Sequence, residues 1–245
     1  MNVVTLMAGS NEAFEVAGAR FPKNLVEVAG SSLVELVVKN YASLEAGVKH
    51  IFLVLGVELD TFYTGDVISL LVPGANIVPV GASTAGAACT ALLAIEYIDN
   101  DDELLICNGD MSIDVDLGVM VESFRSRRLD GGILVFEAVH PRWSYVRLGE
   151  DDLVVETAEK RPISTMATAG VYYFRRGSDF VRSAFSSIKK GADVGGAYYV
   201  CPVYNELILM QARIGVSEIA RAQYHALTEP RGIAEYEDFL RREDR

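Results

Sequence analysis

Short apolar runs rich in β-forming residues alternate with longer helical patterns along the first half of this chain. Such alternation predicts a mostly parallel sheet covered by helices on both faces. The predicted strands are Val3–Met7, Ile51–Leu55, Asn76–Val80, Glu103–Cys107 and Gly132–Glu137. The predicted helices are Ser31–Leu44, Leu59–Leu71, Gly86–Tyr97 and Leu117–Arg128. We therefore expect an α/β fold whose ligands bind beyond the carboxyl ends of the strands.

The pattern changes after about residue 139. Further strands are predicted at Trp143–Leu148, Leu153–Ala158 and Thr168–Arg175, and helices near Ser178–Lys189, Pro202–Ala212 and Ile233–Arg245. Because no repeat or linker interrupts the chain, we expect residues 1–245 to form a single domain. Its second half, residues 139–245, would complete the domain begun by residues 1–138.

Composition limits the classes of partner. The formal net charge of −12 argues against a nucleic-acid or anionic-membrane surface, but a few local cations can still hold a small anion. The three cysteines are far apart in apolar runs and are expected to be reduced thiols. The N-terminal segment is not a signal peptide, and no apolar run is long enough to span a bilayer. We expect a cytoplasmic protein.

The loop after the first strand could bind phosphate. It begins with Ala8, Gly9 and Ser10, and a Pro-Lys pair follows at Lys23. Phosphate groups need close backbone approach and cations, which Gly9 and either Lys23 or Arg20 could supply. The alternative is a surface loop with one exposed basic residue, and composition alone favours that alternative.

Two further segments follow predicted strands. Residues 81–88 are all small, which permits close approach of a flat or phosphorylated ligand; tight helix packing explains them equally well. Asn108, Gly109 and Asp110 follow a buried strand, where a carboxylate is well placed to hold Mg²⁺ with phosphate oxygens. The alternative is that Asp110 caps a helix, but its position at the ligand edge favours the metal.

The second half supplies candidates for an acceptor pocket. Lys160 and Arg161 follow a strand and suit a phosphate-bearing acceptor, although a solvated charge run is the commoner explanation. Trp143 is the single tryptophan and has hydroxyl side chains beside it. It could line a pocket, but an indole that anchors the sheet is the favoured alternative.

The order of these motifs resembles the sugar-1-phosphate nucleotidylyltransferase superfamily. The resemblance runs from about Val3 to Leu207 and is most specific at FPKNLVEV and GAACTALLAIEYIDNDDELLICNGD, the second of which is similar to the capsule- and lipopolysaccharide-associated branch. It implies a Rossmann-like fold shared with GT-A glycosyltransferases, with a mixed, mostly parallel sheet between helices. Residues 1–138 would bind the nucleotide and residues 139–245 the acceptor.

The implied reaction is attack of an acceptor phosphate on the α-phosphorus of an NTP, with Mg²⁺ as cofactor. CTP, UTP or dTTP is favoured, the acceptor is a small phosphorylated molecule, and a homo-oligomer is compatible with the family. Lys23 and Asp110 would be catalytic. By this resemblance, the acceptor would be bound by Trp143, Glu159, Lys160 and Gly170. The nucleotide would be bound by Ala8, Gly9, Ser10, Gly81, Thr84, Gly86, Asn108 and Gly109.

The chain departs from the family pattern in its first loop. Aligned on Met7-Ala8-Gly9 and Phe14, the family's second glycine, serine and arginine become Asn11, Glu12 and Ala13. The missing arginine grips the triphosphate, and Arg20 is the candidate replacement. The family also has a second metal carboxylate near the end of the cleft, for which the candidate here is Glu229.

Three hypotheses remain from the sequence. The first is a nucleotidylyltransferase in surface polysaccharide precursor synthesis. The second, motivated by the altered loop, is a non-catalytic relative that binds a nucleotide or sugar phosphate. The third is a GT-A glycosyltransferase, although Asp110-Met111-Ser112 lacks the second aspartate of its metal motif.

Overall fold

The structure is a computed structural model that describes residues 1–81 and 83–243. Ala82 of the small-residue segment and Asp244 and Arg245 of the predicted last helix lie outside the described residues. The strands are β1 (Asn2–Met7), β2 (Glu27–Val28), β3 (Ser31–Ser32), β4 (Lys49–Leu55), β5 (Asn76–Val80), β6 (Leu104–Asn108), β7 (Met111–Ile113), β8 (Gly131–Glu137), β9 (Ser144–Leu148), β10 (Val154–Glu159), β11 (Met166–Phe174), β12 (Ile214–Ile219) and β13 (Tyr224–Ala226).

Ten α-helices lie within the described residues. They are α1 (Glu12–Val16), α2 (Leu33–Lys39), α3 (Gly56–Phe62), α4 (Thr64–Leu71), α5 (Ala87–Leu92), α6 (Ile95–Ile98), α7 (Leu117–Ser126), α8 (Gly177–Lys189), α9 (Val200–Leu209) and α10 (Pro230–Glu243). In this part of the chain, no helix combines the length and apolar character needed to cross a membrane.

A nine-stranded mixed sheet forms the centre of the fold. Strands β5, β4, β1 and β6 are parallel neighbours, and β11 joins the other side of β6 in the antiparallel direction. β11 also pairs with β8 and β9, while β10 and β12 extend the sheet beyond them. The predicted α/β class with a mixed sheet between helices is therefore confirmed.

Helices cover both faces of the sheet because successive residues of a strand point to opposite sides. On β6, Leu105 and Cys107 belong to the cluster that includes α7, whereas Leu104 and Ile106 belong to the cluster that includes α5, α8 and α9. The central strands β1 and β6 are almost wholly buried, which explains why their sequences are mostly apolar.

The predicted helices differ from the observed ones where the backbone turns. The predicted helix Leu59–Leu71 is two helices, because Tyr63 adopts a left-handed conformation with φ of 54° between α3 and α4. The predicted helix Gly86–Tyr97 is likewise divided into α5 and α6. The prediction missed β12, and it missed the short pairing of β7 with β13, whose residues are more than a hundred positions apart.

Candidate active site

A cavity of about 430 Å³ opens beyond the carboxyl ends of β1 and β6, where the sequence predicted ligand binding. Residues expected on the nucleotide side line one part of it, namely Ala8, Gly9, Thr84, Gly86, Asn108 and Asp110. Residues expected on the acceptor side line another part, namely Trp143, Glu159 and Gly170. The fold thus brings residues from both halves of the chain to one cavity.

Asp110 lines this cavity and forms an ion pair with Lys23, which is not itself among the lining residues. The lysine Nζ donates to Asp110 Oδ2 over 2.8 Å, and Lys23 is only 4% exposed. Its backbone belongs to a short 3₁₀ turn that begins after Pro22. Lys23 is therefore not the exposed surface cation of the alternative interpretation. Asp110 caps no helix, since β7 follows it, so the capping alternative is wrong as well.

Gly9 provides the space that this lysine occupies. A Cβ atom built on Gly9 would lie 2.9 Å from Lys23 Nζ and 4.0 Å from Asp110 Oδ2. Any larger residue at this position would therefore push against the lysine head group. The glycine in the first loop is thus explained by the close approach of Lys23 as well as by access of the backbone to a ligand.

Gly170 brings β11 against the side chain of Asn108. Its φ is 73°, and the pairing of β11 with β8 shifts between Thr168 and Tyr172 on either side of it. A Cβ atom at Gly170 would lie 2.5 Å from Asn108 Nδ2. Both residues line the cavity, so the bulge places a nucleotide-side residue in contact with an acceptor-side residue.

Glu159 is a buried carboxylate on the acceptor side. It is 9% exposed and accepts a hydrogen bond from the Ser144 hydroxyl. Burial raises its pKa, against the opposing effects of Ser144 and of the Lys160 charge. Lys160 itself is exposed and lies outside the cavity lining, where its Nζ donates to the Tyr199 hydroxyl over 2.9 Å. The two neighbouring residues therefore have different environments.

The altered first loop is held by a buried carboxylate that the sequence analysis missed. Asn11 accepts a hydrogen bond from the Lys23 backbone N–H over 2.9 Å and donates to Glu58 Oε1 over 2.9 Å. Asn24 donates to Glu58 Oε2 over 2.8 Å and to the Met7 carbonyl over 2.9 Å. Glu58 is fully buried; burial raises its pKa, while the two asparagine hydrogen bonds and the Lys23 charge lower it.

Besides the buried Lys23, four predicted nucleotide-side or catalytic residues lie outside the cavity lining. Ser10 accepts the Glu12 backbone N–H, the Gly109 N–H donates to the Leu6 carbonyl, and Arg20 is exposed. Gly81 is exposed after β5. Among the residues that the structure describes, neither Glu12 nor Ala13 lines this cavity.

The end of the cleft differs from the sequence prediction. Glu229 is exposed and lines a neighbouring cavity, whereas Thr228 lines the main one. Arg142 and Tyr224 also line both cavities, although neither was a predicted site residue. Trp143 is half-buried and packs edge-on against Phe136, with ring centroids 5.4 Å apart. It therefore both anchors the sheet and lines the cavity.

The carboxylate of Asp110 suits a magnesium ion whose other ligands come from the substrate and water. Within residues 1–81 and 83–243, no three His, Cys, Asp or Glu side chains form a metal cluster. Mg²⁺ is commonly held by one or two carboxylates together with substrate phosphates and water. Asp110, which borders the cavity with 21% of its side chain exposed, meets that minimal requirement.

The match to curated relatives covers most of this chain but less than half of each relative's length. The bifunctional protein GlmU of Methanocaldococcus jannaschii is 26% identical over 181 residues, which cover 71% of this chain and 40% of that protein. GlmU of Methanococcus vannielii is 24% identical over 185 residues, with coverages of 70% and 40%. The chain therefore spans about 40% of the length of these relatives.

Solved structures match over nearly the whole chain. A nucleoside-diphosphate-sugar pyrophosphorylase from Vibrio cholerae RC9 has a TM-score of 0.83 and 27% identity, and the match covers 98% of this chain and 100% of that one. A protein described as a glucose-1-phosphate thymidylyltransferase from Bacillus anthracis, solved with sucrose, has a TM-score of 0.76 and 17% identity, with coverages of 98% and 95%. The second likeness concerns the fold alone.

The comparison with protein families agrees with the geometry of the cavity. The model of the nucleotidyl transferase family matches residues 6–198, a range that contains the Lys23–Asp110 pair and the acceptor-side residues Glu159 and Gly170. With this match over most of its length, the chain belongs to the nucleotidyl transferase family.

Proposed function

We propose that this protein is a nucleotidylyltransferase that moves an NMP group from an NTP to a sugar 1-phosphate or another small phosphorylated acceptor. The observation that carries the proposal is the buried Lys23 ammonium, 2.8 Å from Asp110, at the cavity lined by both halves of the chain. A cation and a carboxylate that can hold a metal are the groups that phosphoryl-type transfer requires.

The reaction balances without an added reductant or oxidant. A phosphate oxygen of the acceptor attacks the α-phosphorus of the NTP and forms a new P–O bond. The bond from the α-phosphorus to the bridging oxygen breaks, and pyrophosphate leaves with that oxygen and its electron pair. The products are a nucleoside diphosphate derivative of the acceptor and pyrophosphate.

The chain's own groups would contribute position and charge. The Lys23 ammonium neutralises negative charge that develops around the α-phosphorus, and Gly9 lets the backbone approach the phosphates. Asp110 would hold Mg²⁺, which when bound neutralises phosphate charge. Glu159, positioned by Ser144, would accept hydrogen bonds from hydroxyls of the acceptor.

The altered loop motivates the rival hypothesis of a non-catalytic relative. Ala13 cannot supply the cation of the family's arginine. Glu12, however, is exposed and does not line the cavity in the described part of the chain. Asn11 fixes the backbone of Lys23, which keeps one cation in place without the arginine. We therefore favour a catalytic protein.

The finer features of the proposal come from the sequence resemblance. Similarity of residues 86–110 to the capsule- and lipopolysaccharide-associated branch supports a role in surface polysaccharide precursor synthesis. The same branch favours CTP, UTP or dTTP as the donor. Such a role would take place in the cytoplasm, and the absence of a membrane-crossing helix among the described residues is compatible with it.

A pyrophosphate-release assay tests the proposal. Purified protein is incubated with Mg²⁺, each of ATP, CTP, GTP, UTP and dTTP, and a panel of sugar 1-phosphates and small phosphorylated alcohols and amines. We expect release with at least one pair of substrates. Nucleotide binding without release would support the non-catalytic relative, whereas transfer from a UDP-sugar without use of free NTP would support a glycosyltransferase.

A further inference from the structure

A second cavity of about 600 Å³ adjoins the candidate active site. The two cavities share Arg142, Trp143, Tyr224 and Thr228 in their linings, so one continues into the other. The nucleotide-side residues that line the first cavity, such as Gly9 and Gly86, are not among those of the second, which is bordered by β13 and α10. The second cavity therefore extends the acceptor side of the site.

Two arginines lie on one aromatic cluster in this cavity. The Arg142 guanidinium lies 4.4 Å from the Trp143 ring centroid, and the Arg221 guanidinium lies 5.6 Å from the Tyr224 ring centroid. The two rings themselves meet edge-on with centroids 5.5 Å apart, and Phe136 stacks on Tyr224 at 4.7 Å. Both guanidinium groups thus lie on connected aromatic rings at one pocket.

Neither pocket arginine is paired with a carboxylate of the described residues, although Arg221 Nη1 donates to the Tyr224 backbone carbonyl over 2.6 Å. Arg231 is paired with Glu235 over 2.8 Å, whereas Arg142 and Arg221 take part in no ion pair with the described residues. Glu229 is the remaining acidic residue of the lining. The lining also contains His225, whose pKa is lowered by burial and by the Arg221 charge, against the opposing charge of Asp114. The pocket therefore has an excess of positive charge, although the whole chain has a net charge of −12.

We propose that this pocket binds a second anionic group of the acceptor, a carboxylate in particular, through Arg142 and Arg221. This inference rests on the proposed function, because it makes the pocket part of the acceptor site. A guanidinium presents paired N–H donors that match the two oxygens of a carboxylate. The acceptor class is accordingly a phosphorylated sugar acid or hydroxy acid, with its phosphate toward Lys23 and its carboxylate between the two arginines.

Binding can be measured separately from turnover, because Trp143 is the single tryptophan and lines both cavities. Its fluorescence is titrated with two matched pairs of probes that differ by one carboxylate. One pair is 3-phosphoglycerate and glycerol 3-phosphate, and the other is glucuronic acid 1-phosphate and glucose 1-phosphate. We expect the acidic member of at least one pair to bind at least about 10-fold more tightly, as expected for hydrogen bonds to a charged group.

Variants assign the preference to the arginines. Arg142→Gln and Arg221→Gln should each remove most of the 10-fold difference within a pair, while affinity for the neutral member stays within about 2-fold. Arg241→Gln is the matched control, because Arg241 pairs with Asp238 on the exposed part of α10, away from the pocket. Circular dichroism of each variant establishes that it is folded before its binding is compared.

The outcomes separate this inference from the proposed function. Pyrophosphate release with equal affinity for both members of every pair would overturn the carboxylate pocket and leave the proposed function intact. If Arg142→Gln raised KM for the NTP and not for the acceptor, the arginine would serve the triphosphate, and the inference would be wrong. Carboxylate-dependent binding without pyrophosphate release from any pair would contradict both the acceptor role and the proposed function.

Discussion

At the scale of single residues, Lys23 is fixed at both of its ends. Asn11 accepts its backbone N–H, and Asp110 accepts a hydrogen bond from its ammonium group over 2.8 Å. Asn11, which stands where the family pattern has its second loop glycine, therefore has a structural role here. It links the lysine to Glu58, a buried carboxylate that also receives the amide of Asn24.

Glu58→Gln should destabilise the protein by about 1–3 kcal/mol, although the two side chains have nearly the same shape. Both carboxylate oxygens accept asparagine N–H groups, so a glutamine would present its own N–H₂ group to one of these donors. Asn11 cannot rotate to compensate, because its oxygen already accepts the Lys23 N–H. Urea unfolding of the variant and of Glu12→Gln, an exposed control, measures the difference.

An unfolding free energy within about 0.5 kcal/mol of the wild-type value would contradict this description of the loop. We also expect the Glu58→Gln variant to bind nucleotide more weakly, since Asn11 would no longer hold the Lys23 backbone in one position. The exposed control should leave both stability and nucleotide affinity unchanged.

Some site residues could be predicted from the sequence and others could not. Gly9, Asn108 and Asp110 follow apolar strands directly, and the carboxyl ends of parallel strands meet at one edge of a sheet. Glu58 contacts Asn11, 47 positions away in the sequence, and its local sequence carries no pattern that indicates this contact. Glu229 was expected at the cleft, yet the chain turns so that Thr228 lines the main cavity.

At the scale of elements, Arg125 of α7 connects the helix to the sheet. It donates from Nε to Glu103, the residue before β6, over 2.8 Å, and Tyr173 of β11 donates to the same carboxylate over 2.6 Å. Burial alone would raise the pKa of Glu103, but the Arg125 and Tyr173 hydrogen bonds outweigh it and lower the pKa. One carboxylate thus joins a helix and two strands.

Arg125→Gln should destabilise the protein by about 1–2 kcal/mol at pH 7, a modest value because the arginine side chain is 31% exposed. A lowered folded-state pKa means that the stabilisation is present above the ordinary value of 4.5 and is lost as the pH falls through the folded-state pKa. Urea unfolding at several pH values should therefore show the wild type and the variant converging below about pH 4.5. A difference that stays constant with pH would contradict the role of Glu103, and Arg231→Gln serves as the exposed control.

The five long strands of the first half, β1, β4, β5, β6 and β8, were predicted to within about two residues at each end, because each is a mostly apolar run. The two-residue strands β2 and β3 were not predicted. The pairing of β7 with β13 could not be predicted, since both are short and the partners are far apart in sequence. The division between α3 and α4 depends on the left-handed Tyr63, a conformation that a tyrosine does not signal in sequence.

At the scale of the whole molecule, the two halves share one sheet. β11 belongs to the predicted acceptor half, yet it pairs directly with β6 and β8 of the predicted nucleotide half. The cavity lies where these strands meet, so neither half contains a complete site. A single domain over residues 1–245 remains a prediction, made from the sequence because no linker interrupts it.

We expect the protein to unfold in one cooperative transition. Fluorescence of Trp143 reports on the second half, whereas far-ultraviolet circular dichroism reports on the whole chain. Because the halves share strand pairings, the two signals should change at the same urea concentration and fit the same free energy of unfolding. Two separate transitions would contradict the single-domain organisation.

We propose that Lys23 and Asp110 form the catalytic part of a nucleotidyl transfer site. The most direct test is the rate of pyrophosphate release, with Mg²⁺ and the best substrate pair, for the wild type, Lys23→Met and the control Lys39→Met, whose side chain is 59% exposed. We predict that Lys23→Met lowers kcat by about 100- to 1000-fold, as removal of a transition-state donor does, while the control keeps the wild-type rate. A folded Lys23→Met variant that releases pyrophosphate at the wild-type rate would contradict the catalytic role of Lys23.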